Sequence, residues 1–155
     1  MSIAKAGPAT PVSTPIEHVR VRGKASGFLQ EATAGKYTFQ VDEPVSVGGT
    51  EAAPDPYDYL LAALGACTSM TVGWYARRNQ IPLEEVSVSL RHSRIHAEDC
   101  VECETKSGML DRIDLTVQLT GPITPEQDAK LMAVAAKCPV HRTLDSEIDI
   151  RLQSA

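Results

Sequence analysis

Apolar positions repeat along this chain with two periods, and the places where the period changes divide it into elements. Val19 and Val21 alternate with polar neighbours, Gly27-Phe28-Leu29 and Tyr37-Thr38-Phe39-Gln40-Val41 follow, and Gly23 and Gly35 break the run. Period-two segments between glycines predict a short antiparallel meander, in which His18 reads as an ordinary strand residue. Residues 43–56 hold Pro44, Gly48, Gly49, Pro54 and Pro56 and read as a long loop. That loop should lead straight into a helix over residues 56–79. Pro56 suits its first turn, Asp58 complements the N-terminal dipole, and Arg77 and Arg78 complement the C-terminal end.

Leu60, Leu64, Cys67, Thr71 and Trp74 form one stripe of this helix, yet Leu61, Ala62, Ala63, Met70 and Val72 make its other sides apolar too. A helix apolar nearly all round is buried all round. A chain of 155 residues with thin sheets has trouble enclosing one, so the pattern predicts a homodimer whose central helices are covered by both chains. Downstream, Val86, Val88 and Leu90, and then Ile113, Leu115, Val117 and Leu119, alternate with polar residues as two half-buried strands. Between them lies an acidic loop, 97–108, with Cys100 and Cys103. Thr124-Pro125-Glu126-Gln127 has capping-box spacing and should open a second helix, whose apolar face carries Leu131, Val134, Ala135 and Cys138 up to Pro139. Ile148, Ile150 and Leu152 alternate as a closing strand. The order of elements predicts an α+β domain over residues 16–155, preceded by a flexible tail, 1–15, with Pro8, Pro11 and Pro15.

Composition narrows the function. Hydrophobic residues make up 43% and charged residues 23%, the balance of an ordinary globular chain. A net charge of -5 and 5% aromatics argue against nucleic-acid binding, which needs a basic face or stacking platforms. Gly65, Cys67, Thr68, Ser69, Thr71 and Gly73 interrupt the uncharged run 59–76, so it reads as a core helix and not a membrane span. The first fifteen residues lack the apolar stretch of a signal peptide, which predicts a cytoplasmic protein. No phosphate loop, dinucleotide fingerprint or haem-attachment motif occurs, and no cofactor is called for.

Four cysteines in a reducing compartment are thiols, metal ligands or redox pairs more often than a structural framework. Cys67 and Cys138 lie on apolar helix faces that can meet at one site. Two readings stay open: small buried hydrophobes, or an attacking and a resolving thiol. A cysteine three turns into a helix is beyond the reach of the N-terminal dipole and needs a cation to become a thiolate. Arg20, Arg22, Lys24 and Arg142 are candidates. Cys138, placed by the pattern at a helix C-terminus where the dipole disfavours a thiolate, is then the resolver. His92, His96, Cys100 and Cys103 form a second constellation, readable as a zinc site, an accessory dithiol or an exposed polar loop. His141 and Arg142 follow the Cys-Pro turn and read as exposed residues, or as groups that orient Cys138 or bind a substrate carboxylate.

Gly48-Gly49-Thr50, the run from Pro54 through Tyr57, Asp58 and Ala66-Cys67-Thr68, Tyr75-Ala76, and Cys138-Pro139-Val140-His141-Arg142 together resemble the osmotically inducible protein C and organic hydroperoxide resistance (OsmC/Ohr) family. The resemblance spans residues 16–152. It implies an OsmC-like fold with an N-terminal meander, a central helix, further strands, a second helix and an intertwined dimer. It also implies thiol-dependent reduction of organic or fatty-acid hydroperoxides with a dithiol reductant, the two functional cysteines falling on Cys67 and Cys138. The family's catalytic arginine belongs to the meander, where Arg22 is the assignment. Tyr57 stands where the family's hydroperoxide reductases carry a glutamate, with Asp58 one residue on, so the chain is similar to a divergent OsmC-like branch. Apolar helices around Cys67 would favour alkyl or lipid hydroperoxides over hydrogen peroxide. The competing expectation is a binding module of the same fold that holds a small apolar ligand or a metal without turnover.

Overall fold

The computed structural model describes residues 19–154; the tail 1–15, the start of the domain at Ile16 and His18 lie outside the described residues. The architecture is α+β, and the chain separates into two compact units, one ending at Asp55 and one beginning at Pro56.

In the first unit β1 (Val19–Gly23), β2 (Gln30–Ala34) and β3 (Tyr37–Val41) form an antiparallel sheet in sequence order, the meander expected from the period-two runs. Gly35, at φ 59, takes the left-handed backbone that a two-residue hairpin needs between Ala34 and Tyr37. Phe28 and Leu29, which the pattern assigns to the second strand, precede it, because the ladder with β1 closes at Gly23 opposite Gln30.

Buried Asp42 organises the loop beyond β3. One of its carboxylate oxygens accepts hydrogen bonds from the Thr50 hydroxyl, the Thr50 amide (3.0 Å) and the Ala52 amide (3.1 Å). Gly49 is required here, since a Cβ would collide with the Glu43 carbonyl. The Thr50 hydroxyl and the Ala52 amide outweigh the opposing effect of burial and bring the Asp42 pKa from 3.8 down to about 2.

In the second unit α1 (Pro56–Arg78) packs against β4 (Glu85–His96), which pairs with β5 (Met109–Thr120) from Glu85 opposite Thr120 to His96 opposite Met109. Both strands run further than the alternation of aliphatics suggests, and β4 takes in His92 and His96. The helices α2 (Pro125–Ala135) and α3 (Pro139–Leu144) follow. The capping box forms as expected: the Gln127 amide donates to the Thr124 hydroxyl (3.2 Å) and the Thr124 amide to the Gln127 side chain (2.9 Å). Val72 and Ala76 of α1 meet Leu131 and Ala135 of α2 in the core, and each wholly buried aliphatic there contributes roughly 2 to 3 kcal/mol. Among the described residues, no helix is long and apolar enough to cross a membrane.

Two expectations are corrected. The inward stripe of α1 is Leu64, Gly65, Thr68, Val72 and Ala76, turned from the one centred on Cys67. Gly65 explains the turn: a Cβ there would lie 2.7 Å from Leu90 Cδ1, so the helix rests on the strand along its small residues and turns bulky Trp74 outward. Within one chain, a two-stranded sheet and two short helices leave Met70 71% and Trp74 55% exposed. Finally, residues 147–154 form no strand. Ile150 (85%) and Leu152 (99%) stand in solvent, because alternation without an edge to pair with gives no ladder.

The Asp42 pKa yields a pH prediction. A carboxyl whose folded pKa is depressed contributes stability that is complete above its unfolded pKa of 3.8 and is lost as pH falls toward about 2. Denaturant titrations across that window should show wild-type stability falling, and Asp42→Asn should be less stable at neutral pH with a flatter acid limb. Parallel acid limbs would contradict this role.

Candidate active site

Thr68 sits mid-helix, where its hydroxyl is 2.9 Å from the Leu64 carbonyl and 3.4 Å from Cys138 Sγ. A hydroxyl has one hydrogen. With that hydrogen on the carbonyl, as a mid-helix threonine commonly arranges it, the thiol proton of Cys138 fills the contact. The sulfur also accepts the His141 amide at 3.3 Å, and Cys138 is wholly buried. Its two partners hold the sulfur in one position.

This environment corrects the expected one. α2 ends at Ala135, and Cys138 is the N-cap of α3, with extended backbone angles and Pro139 in the first turn. Cys138 therefore stands before a helix and not at the end of one, so the dipole argument for making it the resolver loses its premise. Exposure supplies another basis for ordering the two cysteines. Cys67 is half-buried and opens onto a groove of about 580 Å³, lined also by Ala63, Ala66, Met70, Trp74 and Pro139, with Lys137 at its rim. An oxidant arriving from solvent reaches Cys67 before Cys138.

The two sulfurs belong to one region. Thr68, which follows Cys67, touches Cys138, and Lys137 and Pro139, which flank Cys138, share the groove with Cys67. Lys137 was not among the cations singled out from the sequence; its position next to Cys138 was the available signal. Arg22 lies on β1 in the first unit, opposite Glu31, and lines an open groove there with Lys24 and Gln40. Arg20 shares that strand, and Arg142 is an exposed residue of α3.

Tyr57 and Asp58 stand in the first turn of α1. The Tyr57 ring stacks on His92 with centroids 4.4 Å apart, and His92 Nε2 is 2.9 Å from an Asp111 carboxylate oxygen. The structure does not join His92 and His96 to the two cysteines of the acidic loop. Cys100 and Cys103 are bonded to each other as a disulfide, and no three His, Cys, Asp or Glu side chains among the described residues gather as metal ligands. His141 lines a cavity of about 210 Å³ with Leu64, Asp111 and Asp145, its Nδ1 shielded from solvent and without a hydrogen-bond partner among the described residues.

The structure is thus an α+β protein in which a half-open cysteine on a helix lies near a buried one. Residues 48–153 match the family model described as OsmC-like protein, and the chain belongs to that family. Solved structures agree on the fold. The chain is similar to an OsmC-like protein from Mycoplasma pneumoniae (19% identity, 82% of this chain and 85% of that one, TM-score 0.65). It is also similar to an organic hydroperoxide resistance protein OsmC from Legionella pneumophila (22% identity, 87% and 91%, TM-score 0.60) and to the organic hydroperoxide resistance protein OhrB of Bacillus subtilis (20%, 87% and 94%, TM-score 0.57). No curated protein matches the chain.

The burial difference makes a labelling prediction. In the native, reduced protein a thiol-specific alkylating agent should modify Cys67 on the order of a hundredfold faster than Cys138, which reacts only through local opening. Equal rates, read by peptide mass spectrometry, would show that Cys138 is not sealed.

Proposed function

We propose that this chain is a cofactor-free thiol peroxidase that acts in the cytoplasm on organic hydroperoxides through Cys67 and Cys138. The observation that carries this reading is the half-open Cys67 on an apolar groove, with Cys138 sealed against the neighbouring Thr68. Membership of the OsmC-like family supports it. The Cys67 thiolate attacks the peroxide; an S–O bond forms, the O–O bond breaks, and the electron pair leaves on an alkoxide that takes up a proton to become the alcohol. Cys138 then attacks the sulfenic sulfur, forming the Cys67–Cys138 disulfide and releasing water. A dithiol reductant restores both thiols by exchange and leaves as its own disulfide.

Arg22, contributed by the meander, is assigned to stabilise the thiolate and the leaving alkoxide, and Lys137 on the groove offers a second positive charge. Ala63, Ala66, Met70 and Trp74 favour an alkyl or lipid hydroperoxide, because hydrogen peroxide has no apolar surface to bury against them. The same exposed Met70 and Trp74 support a homodimer in which a second copy covers this side of α1. A non-catalytic binding module is the second reading. It is favoured by Tyr57, which puts an aromatic stack where the family's hydroperoxide reductases have a carboxylate.

Peroxide consumption at limiting dithiol separates the two. Turnover of cumene hydroperoxide should exceed that of hydrogen peroxide by at least about tenfold. Cys67→Ser should abolish it, and Cys138→Ser should stop after one turnover with a trappable sulfenic acid. Arg22→Ala should slow the reaction by on the order of a hundredfold. A Cys67→Ser protein that binds apolar ligand normally, in a wild type that consumes no peroxide, would establish the binding module instead.

A further inference from the structure

The Cys100–Cys103 disulfide takes no part in the chemistry proposed above, and its setting is a poor one for a structural staple. β4 and β5 are already joined by a continuous ladder down to His96 opposite Met109, and the Ala97 amide donates to the Gly108 carbonyl (2.8 Å) across the base of the connecting loop. A bond between residues three apart closes one of the shortest loops a chain can form, so it removes little entropy from the unfolded state. The hairpin has no need of it.

The surroundings suit reversible exchange. Both cysteines are only half-buried, Val101 between them is 89% exposed, and the pair lines an open cavity of about 320 Å³ with Ile95, Leu110 and Arg112. Lys106 folds back over the loop so that its ammonium donates to the Cys103 carbonyl (2.5 Å) and lies 3.5 Å from that of Val101. It is the one Lys or Arg in residues 97–108, among Glu98, Asp99, Glu102 and Glu104. A positive charge held beside Cys103 stabilises a thiolate leaving from that residue, while the four acids repel an anionic attacker.

We propose that Cys100 and Cys103 form a second thiol–disulfide exchange site, independent of Cys67 and Cys138, that accepts two electrons from small uncharged dithiols. One thiolate of the dithiol attacks Cys100 Sγ. The S–S bond breaks, and the electron pair leaves on Cys103 Sγ, which then takes up a proton. The second thiol of the reductant displaces Cys100 from the mixed disulfide, so the reductant departs as a cyclic disulfide and two cysteine thiols remain. Two electrons and two protons pass to the protein, and none of the hairpin's backbone hydrogen bonds has to break.

The test uses full-length Cys67→Ser/Cys138→Ser protein in native buffer, with differential alkylation and peptide mapping after exposure to a small excess of dithiothreitol. The expected result is two new thiols, at Cys100 and Cys103, with unchanged circular dichroism and re-formation of the bond on adding oxidised dithiothreitol. Glutathione, with its net negative charge, should react at least about tenfold more slowly, and Lys106→Ala should slow dithiothreitol about threefold. The same mapping of wild-type protein covers the case in which the double variant does not fold. A bond reduced only in denaturant, or two thiols that oxidised dithiothreitol fails to join, would overturn the proposal.

Discussion

The close approach of α1 to β4 is the constraint on which the second unit depends. Gly65 lets Leu90 Cδ1 come within 2.7 Å of where a Cβ would be, and Thr68, Val72 and Ala76 continue the same inward line. Once that line faces the sheet and α2, helical geometry leaves little choice for the neighbours. At about 100° per residue, Cys67 must turn partly out of the contact when Thr68 turns in. The rotation that builds the core therefore sets one sulfur at the surface and directs a hydroxyl at the other.

That hydroxyl links two requirements which otherwise compete. A threonine inside a helix satisfies itself on the carbonyl four residues back, and here its oxygen still meets the thiol of Cys138. The His141 amide completes the environment of the buried sulfur. Burial and these two contacts fix the position of the Cys138 sulfur. Cys67 by contrast is half-buried, with a largely apolar groove before it.

The β4–β5 ribbon carries two further polar groups on its backbone ladder. Asp111 engages His92 and lines both the cavity that holds His141 and the cavity beside the Cys100–Cys103 disulfide. His92 in turn is covered by Tyr57 from the start of α1. In the first unit buried Asp42 has the comparable role, folding the Gly48-Gly49-Thr50 segment back on the end of β3.

Local chemistry was legible in the sequence wherever a residue acts on its own neighbours. Period-two runs located β1, β3, β4 and β5, Thr124 and Gln127 announced the capping box, and Pro56 with Asp58 marked the start of α1. The family was readable as well, because motif spacing is a property of the chain. What faces what was not readable. An apolar pattern all round α1 carries no information about which side meets the sheet, and the answer came from steric fit at Gly65 against Leu90. The Cys138 N-cap, the Lys137 rim of the groove and the absence of a strand over 147–154 likewise depend on partners distant in sequence. The sequence by itself determined most of the elements and the sulfur chemistry available, because propensity and reactivity are local. Only the tertiary structure decided that Cys67 is half-open and Cys138 sealed, because exposure depends on packing between segments far apart in the chain.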